Sequence, residues 1–267
     1  MSALMTVSAV TAGAAPVPPA GSLTAIQAPA FPKPGVGKGG TPDIAPPVAQ
    51  LPAAKRSKRP KVTPRFDAEV AAMAARPLPS DGVSALFLGS SSIRMWDVGM
   101  SFPTIHALNR GFGGATTADV LYHYGRIVTG LQPNTVIVYV GENDIAAGAS
   151  ADAAVADILA LLARLRTDMP GTRIAYLSMK PTPLRWDLYE RMAAANAAVK
   201  AQASAIGFDF VDVGGALLDP SGKPDSQYYG VDGLHLNARG YERWTSIVQR
   251  YLAPKAPIRT EDPTKPS

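Results

Sequence analysis

Residues 135–144 read Thr135-Val136-Ile137-Val138-Tyr139-Val140-Gly141-Glu142-Asn143-Asp144. The first six are β-branched or apolar with no polar alternation, the pattern of a strand covered on both faces. A strand with one wet face would alternate. The run therefore predicts a strand inside a sheet that carries helices on each side, and Gly141 predicts that the chain leaves the sheet there by a loop.

Similar runs lie on either side. Ala85-Leu86-Phe87-Leu88 is a short apolar strand closed by Gly89, Arg173 to Ser178 and Phe208 to Val213 are two more, and Ile105 to Leu108 is a weaker one. Helical patterns separate them: Asp67 to Ala75, Thr117 to Val128, Ala151 to Asp168, Leu188 to Ile206 and Ala238 to Leu252. In the second of these, Val120, Leu121, Tyr124, Ile127 and Val128 recur at helical spacing, which assigns His123 to the solvent side. Pro170-Gly171 stops the third helix, and Gly207 suits the C-terminal cap of the fourth. Strands that alternate with helices imply right-handed crossovers and a parallel sheet. The expected fold is a three-layer αβα sandwich over residues 65–254, with a mainly parallel sheet of about five strands. In such folds ligands bind outside the carboxyl ends of the strands.

Composition narrows the partners. The 267-residue chain has no cysteine, hence no disulfide, thiolate metal site or Cys nucleophile. No apolar run approaches the roughly 18 residues of a membrane span. Net charge is +5, but residues 1–65 hold eight basic residues against Asp43 alone, and 254–267 add one further positive charge. Residues 66–253 are left with 15 basic and 18 acidic side chains, a net −3. No nucleic-acid partner is expected for that core. Residues 1–64 are rich in Pro, Ala and Gly without periodicity and read as a disordered basic tail; residues 255–267 read as a second one. The Lys55-Arg56-Ser57-Lys58-Arg59-Pro60-Lys61 cluster suits weak contact with an anionic surface, or simply a solvated linker. Met1 to Pro16 is mildly apolar and includes Ala12-Gly13-Ala14, which resembles a cleavage site, but it lacks a basic n-region. Cytoplasmic and exported locations both stay open, as does the oligomeric state.

Three residue clusters carry chemistry. Ser90, Ser91 and Ser92 follow Gly89, which permits a tight turn and close backbone approach. A serine hydroxyl is a weak nucleophile unless a base lies within hydrogen-bond reach. Of the three histidines, His106, His123 and His235, only His235 has an acid at a useful offset, Asp232, three residues before it. That carboxylate can take Nδ1–H and leave Nε2 free to accept a proton, although an Asp there also suits a helix cap. Asn143 offers a side-chain amide to a developing oxyanion, and Gly114 offers a backbone N–H; both residue types are also common in turns. No Gly-x-Ser-x-Gly elbow is present, which argues against an α/β-hydrolase. There is no His-Glu-x-x-His, Walker loop or dinucleotide fingerprint, so neither metal nor cofactor is expected.

Taken in order, Gly89-Ser90-Ser91-Ser92, Gly111-Phe112-Gly113-Gly114, Gly141-Glu142-Asn143-Asp144 and Asp232-Gly233-Leu234-His235 resemble the four blocks of the SGNH hydrolases, the GDSL-type esterase/lipase family. The resemblance implies a flavodoxin-like SGNH hydrolase fold. It also implies that Ser91, two residues past Gly89, is the nucleophile, with His235 the base and Asp232 its orienter. The N–H groups of Ser91 and Gly114 and the Asn143 amide would form the oxyanion hole. The implied activity is hydrolysis of a carboxylic ester through an acyl-enzyme. Substrate classes consistent with it are short-chain acyl, lysophospholipid and acetylated-sugar esters. The same site suits an O-acyltransferase, and the fold alone suits a non-catalytic binding module. One position departs from the family: Ser90 stands where an Asp usually precedes the nucleophile, which leaves Ser92 as the alternative. The loops Met179 to Trp186 and Ser221 to Val231 are expected to shape the pocket, with Arg185 and Trp186 suited either to substrate contact or to packing.

Overall fold

The computed structural model describes residues 64–253 apart from positions 79 and 81. Except for Pro64, the tails expected over 1–64 and 255–267 lie outside the described residues, as do the Ala12-Gly13-Ala14 segment and the basic cluster at 55–61.

The elements run α1 (Asp67–Ala74), β1 (Ala85–Gly89), α2 (Ser91–Arg94), α3 (Val98–Ser101), β2 (Ala107–Gly111), α4 (Thr117–Ile127), β3 (Thr135–Tyr139), α5 (Glu142–Ala146), α6 (Ala151–Asp168), β4 (Arg173–Leu177), α7 (Tyr189–Ala201), α8 (Ala203–Ile206), β5 (Asp209–Val211) and α9 (Ala238–Leu252). All strand pairs are parallel, in the order β2-β1-β3-β4-β5. The chain winds outward from β1 to β2, then restarts on the other side of β1 at β3. The crevice between β1 and β3 is therefore the topological switch point, where such sheets take their ligands. Register makes the crevice level: Gly89 of β1 pairs with Gly111 of β2 and with Tyr139 of β3. The loops that carry Ser91, Gly114 and Asn143 thus leave the sheet at one height.

Every residue of β1 and β3 is buried, as their unbroken apolar runs demand. Alternate side chains supply two cores. Leu86, Leu88, Val136 and Val138 face a layer that includes Val120, Ile127, Leu161, Leu165 and Val199. Phe87, Ile137, Tyr139 and Leu177 face Ile93, Trp96, Phe102, Trp244 and Val248. Each such side chain contributes on the order of 1.5–3 kcal/mol by leaving water. In the second core Trp96 meets Phe87 and Trp244 edge-on, with ring centroids 5.4 and 5.6 Å away.

Three expectations are corrected. The weak strand lies at Ala107–Gly111, later than Ile105 to Leu108, because its polar residues find partners in the fold. Asn109 Nδ2 donates to the Ile93 and Trp96 carbonyls at 2.6 and 3.0 Å, and Arg110 donates to the Met73 carbonyl. The long helix expected over Leu188 to Ile206 is broken at Gln202 into α7 and α8, and Gly207, with φ +85°, ends the second. His123 does not face solvent: it is 1 % exposed, whereas its neighbour Tyr122 is outside. His123 shares the stripe of Val120, Tyr124 and Ile127, and its ring stands edge-on to Phe112 at 5.8 Å. Burial lowers its pKa, which favours the neutral ring that such packing requires.

Among the described residues no helix is long and apolar enough to cross a membrane.

Candidate active site

The top of β1 is built by close approach. Gly89 has φ +151°, and a Cβ there would lie 2.0 Å from the Tyr139 carbonyl oxygen, so no side chain fits. Ser90 N–H donates to that carbonyl at 3.1 Å, and Phe112 N–H donates to the Gly89 carbonyl at 3.1 Å. Pairing thus continues past the strands and fixes where α2 begins. Ser91 is its first residue, so the Ser91 N–H has no partner within the helix.

The three serines have different surroundings. Ser90 and Ser92 are buried, while Ser91 is partly open. Ser92 Oγ lies 3.2 Å from the Lys180 ammonium, and Ser91 Oγ lies 3.0 Å from His235 Nε2. Ser90, at the position where the family usually has Asp, caps α2 without a side-chain bond to it.

Asp232 and His235 sit on a turn before α9. Asp232 Oδ2 is 2.6 Å from His235 Nδ1, and Oδ1 accepts the backbone N–H groups of Leu234 and His235, both at 3.0 Å. The carboxylate therefore caps the turn and holds the ring together. These hydrogen bonds, the His235 ring foremost, lower the Asp232 carboxyl to about 2. Asn237 anchors the turn from behind, donating to the Gln227 and Tyr229 carbonyls at 2.8 and 2.9 Å and capping α9. The other two histidines are elsewhere: His106 precedes β2 at the opposite edge of the sheet, and His123 is buried under α4.

Gly114 lies in the loop after β2. Its carbonyl accepts from Arg65 at 3.0 Å. The next residue, Ala115, accepts the Asn143 side-chain Nδ2 at 3.0 Å. Beside it, Thr117 N–H donates to both carboxylate oxygens of Asp144, at 3.1 and 3.0 Å, and Thr116 and Asp119 form a reciprocal cap on α4. The Gly114 and Asn143 loops are thereby bonded to each other at the carboxyl edge. Burial raises the Asp144 carboxyl to about 6, against the lowering effect of the Thr117 bonds.

Beneath Asn143 lies a charged cluster that local sequence pattern does not reveal. Glu142 bridges Lys180 at 2.6 Å and Arg185 at 2.9 Å, and it also accepts from the Tyr139 hydroxyl. The side chains of Glu142 and Lys180 are 4 % and 1 % exposed. Burial pushes the Glu142 carboxyl up, but the two cations outweigh it and hold the pKa below the usual value. The available signal is positional: both Glu142 and Lys180 are charged residues set just past the carboxyl end of an apolar strand. Of the two residues suited to substrate contact or packing, Arg185 joins this cluster, and Trp186 stacks on Tyr189 at 5.0 Å.

The protein is an ester-bond hydrolase of the three-layer α/β class. It belongs to the GDSL-like Lipase/Acylhydrolase family, whose model matches residues 95–243, more than half of the chain and beginning just after the Ser91 turn. Platelet-activating factor acetylhydrolase IB subunit alpha2 of Rattus norvegicus is 28% identical over 172 residues, 59% of this chain and 71% of that protein. Two solved structures share the fold. A GDSL-like lipase from Bacteroides thetaiotaomicron is 22% identical with a TM-score of 0.60, over 70% of this chain and 95% of its own. An acetylxylan esterase from Geobacillus stearothermophilus, solved as a catalytic mutant, is 15% identical with a TM-score of 0.54, over 65% of this chain and 96% of its own.

Proposed function

We propose that the protein is a serine esterase that works through an acyl-enzyme, with Ser91 as nucleophile, His235 as base and Asp232 as its orienter. The observation that carries this reading is the continuous chain of contacts, Asp232 Oδ2 to His235 Nδ1 at 2.6 Å and His235 Nε2 to Ser91 Oγ at 3.0 Å. Ser91 Oγ attacks the ester carbonyl carbon while Nε2 takes its proton. Negative charge that develops on the carbonyl oxygen is met by the N–H groups of Ser91 and Gly114 and by the Asn143 amide. The imidazolium returns its proton to the leaving alkoxide, and the alcohol departs. Water then attacks the acyl-serine with His235 again as base, releasing the carboxylic acid and restoring Ser91.

The substrate class follows less from the pocket than from the relatives. The names of a platelet-activating factor acetylhydrolase and of an acetylxylan esterase both carry acetyl, which supports a short acyl group as the one removed. Purified protein is expected to hydrolyse p-nitrophenyl acetate faster than the longer-chain esters. Ser91→Ala should lower kcat by about 10⁴-fold or more with an unchanged circular dichroism spectrum. Undiminished turnover in that variant would move the nucleophile elsewhere.

A further inference from the structure

We propose that Arg185 is the positioning residue for the oxyanion donor Asn143, held in place by the buried Glu142–Lys180 pair. The inference rests on the serine-esterase reading above.

An Asn side chain ends in an oxygen and an NH₂ group of nearly equal shape, and only the NH₂ group can serve an oxyanion. Something must decide which end faces which way. Arg185 Nη1 is solely a donor, and it lies 3.1 Å from Asn143 Oδ1. The Ala115 carbonyl is solely an acceptor, and it lies 3.0 Å from Nδ2. Turning the amide over would set NH₂ against guanidinium and oxygen against carbonyl. The two neighbours therefore permit one orientation, in which one Nδ2–H is held by Ala115 and the other is left to the substrate side.

Arg185 is itself fixed. The same Nη1 donates to Glu142 Oε1 at 2.9 Å, and Glu142 Oε2 meets Lys180 Nζ at 2.6 Å. Lys180 Nζ also lies 3.2 Å from Ser92 Oγ, so the cluster reaches the residue next to Ser91. The Arg185 turn, Pro183–Leu188, is capped by Thr182 and tied by Leu184 N–H to the Gly233 carbonyl at 3.0 Å, inside the Asp232–His235 turn. The Arg185 turn and its ion-pair partners thus reach all three parts of the site: Asn143 through Arg185, the 232–235 turn through Leu184 and the serine turn through Lys180. Buried ion pairs rarely repay their desolvation in stability. This one holds the guanidinium at the Asn143 side-chain oxygen.

The test is a double-mutant cycle on p-nitrophenyl acetate with Arg185→Met, Arg185→Lys, Asn143→Ala and Arg185→Met/Asn143→Ala, with Ser91→Ala in parallel. Arg185→Met should lower kcat by about 10²-fold, the scale of one oxyanion donor, with KM changed less than about threefold. In the Asn143→Ala background the same substitution should cost less than about threefold, since its route of action is already gone. Arg185→Lys should restore part of kcat, because an ammonium can still donate to Asn143 Oδ1 but loses the bridging geometry. Equal losses from Arg185→Met in both backgrounds, or a raised KM at constant kcat, would overturn the proposal. If Arg185→Met does not fold, the cycle is run with Arg185→Lys and read by the same criterion. An active Ser91→Ala would instead sink the serine-esterase reading, whatever Arg185 does.

Discussion

Asp232 grips His235 twice, one carboxylate oxygen on its backbone N–H at 3.0 Å and the other on its ring Nδ1 at 2.6 Å. The turn and the tautomer are set by a single side chain. Asp232→Asn keeps an oxygen for the backbone but can present NH₂ to Nδ1, which would place the proton on Nε2, the wrong nitrogen for accepting from Ser91. We expect kcat to fall by roughly 10³–10⁴-fold with an unchanged circular dichroism spectrum. The pH effect has a definite sign. Asp232 in the folded protein titrates near 2, below an unfolded carboxylate, so its contribution to stability is present above about pH 4 and is lost as pH falls toward 2. Urea unfolding between pH 2.5 and 5 should show a shallower slope in Asp232→Asn than in the parent; identical slopes would contradict it.

Ser92 is the alternative nucleophile, and its contacts separate it from Ser91. It is buried, and its hydroxyl faces Lys180 rather than His235. Ser92→Ala leaves the buried ammonium one partner short, which should cost about 1–3 kcal/mol in urea unfolding. Turnover should stay within about tenfold of the parent, far above that of Ser91→Ala. A fluorophosphonate probe followed by peptide mass mapping gives the same answer directly, with the label expected on Ser91 and its appearance on Ser92 reversing the assignment.

Asp144 works in the opposite direction from Asp232. Its carboxyl titrates near 6 because it is buried, so between about pH 4 and 6 the folded protein retains a proton that the unfolded chain releases. That contribution is full below pH 4 and is lost as pH rises through 6; for a shift of about two units it amounts to about 3 kcal/mol at most. Asp144→Asn preserves an acceptor for Thr117 N–H and removes the titration. The variant should therefore lose less stability than the parent between pH 4.5 and 7 in urea unfolding. A parent-like decline in Asp144→Asn would show that another group titrates there.

What the sequence discloses depends on how local the deciding forces are. The helices over Ala151–Asp168 and Ala238–Leu252 have the expected ends, because caps and periodicity are written in neighbouring residues. Strands β1, β3 and β4 are legible for the same reason: burial on two faces requires unbroken apolar runs. Strand β2 is displaced because Asn109 and Arg110 look unfit for a sheet until Ile93, Trp96 and Met73 supply acceptors. His123 misleads because a neutral imidazole can pack against Phe112. In the site, the three-residue offset of Asp232 and His235 is visible in one dimension. The approach of His235 to Ser91 is a property of the sheet order, and Glu142, Lys180 and Arg185 meet only once β3 and β4 lie side by side.

The level register of Gly89, Gly111 and Tyr139 divides the protein's freedom to vary. Ser91, Gly114 and Asn143 follow strands whose residues are paired one to one, and none of those strands can slip by a residue without turning its side chains to the other face. The turns at 183–188 and 230–235 are joined to each other by Leu184 and Gly233 and lie outside the sheet. The second of them carries Asp232 and His235, so variation at 183–188 is confined to changes that keep the Leu184–Gly233 bond and the Arg185 contacts in place.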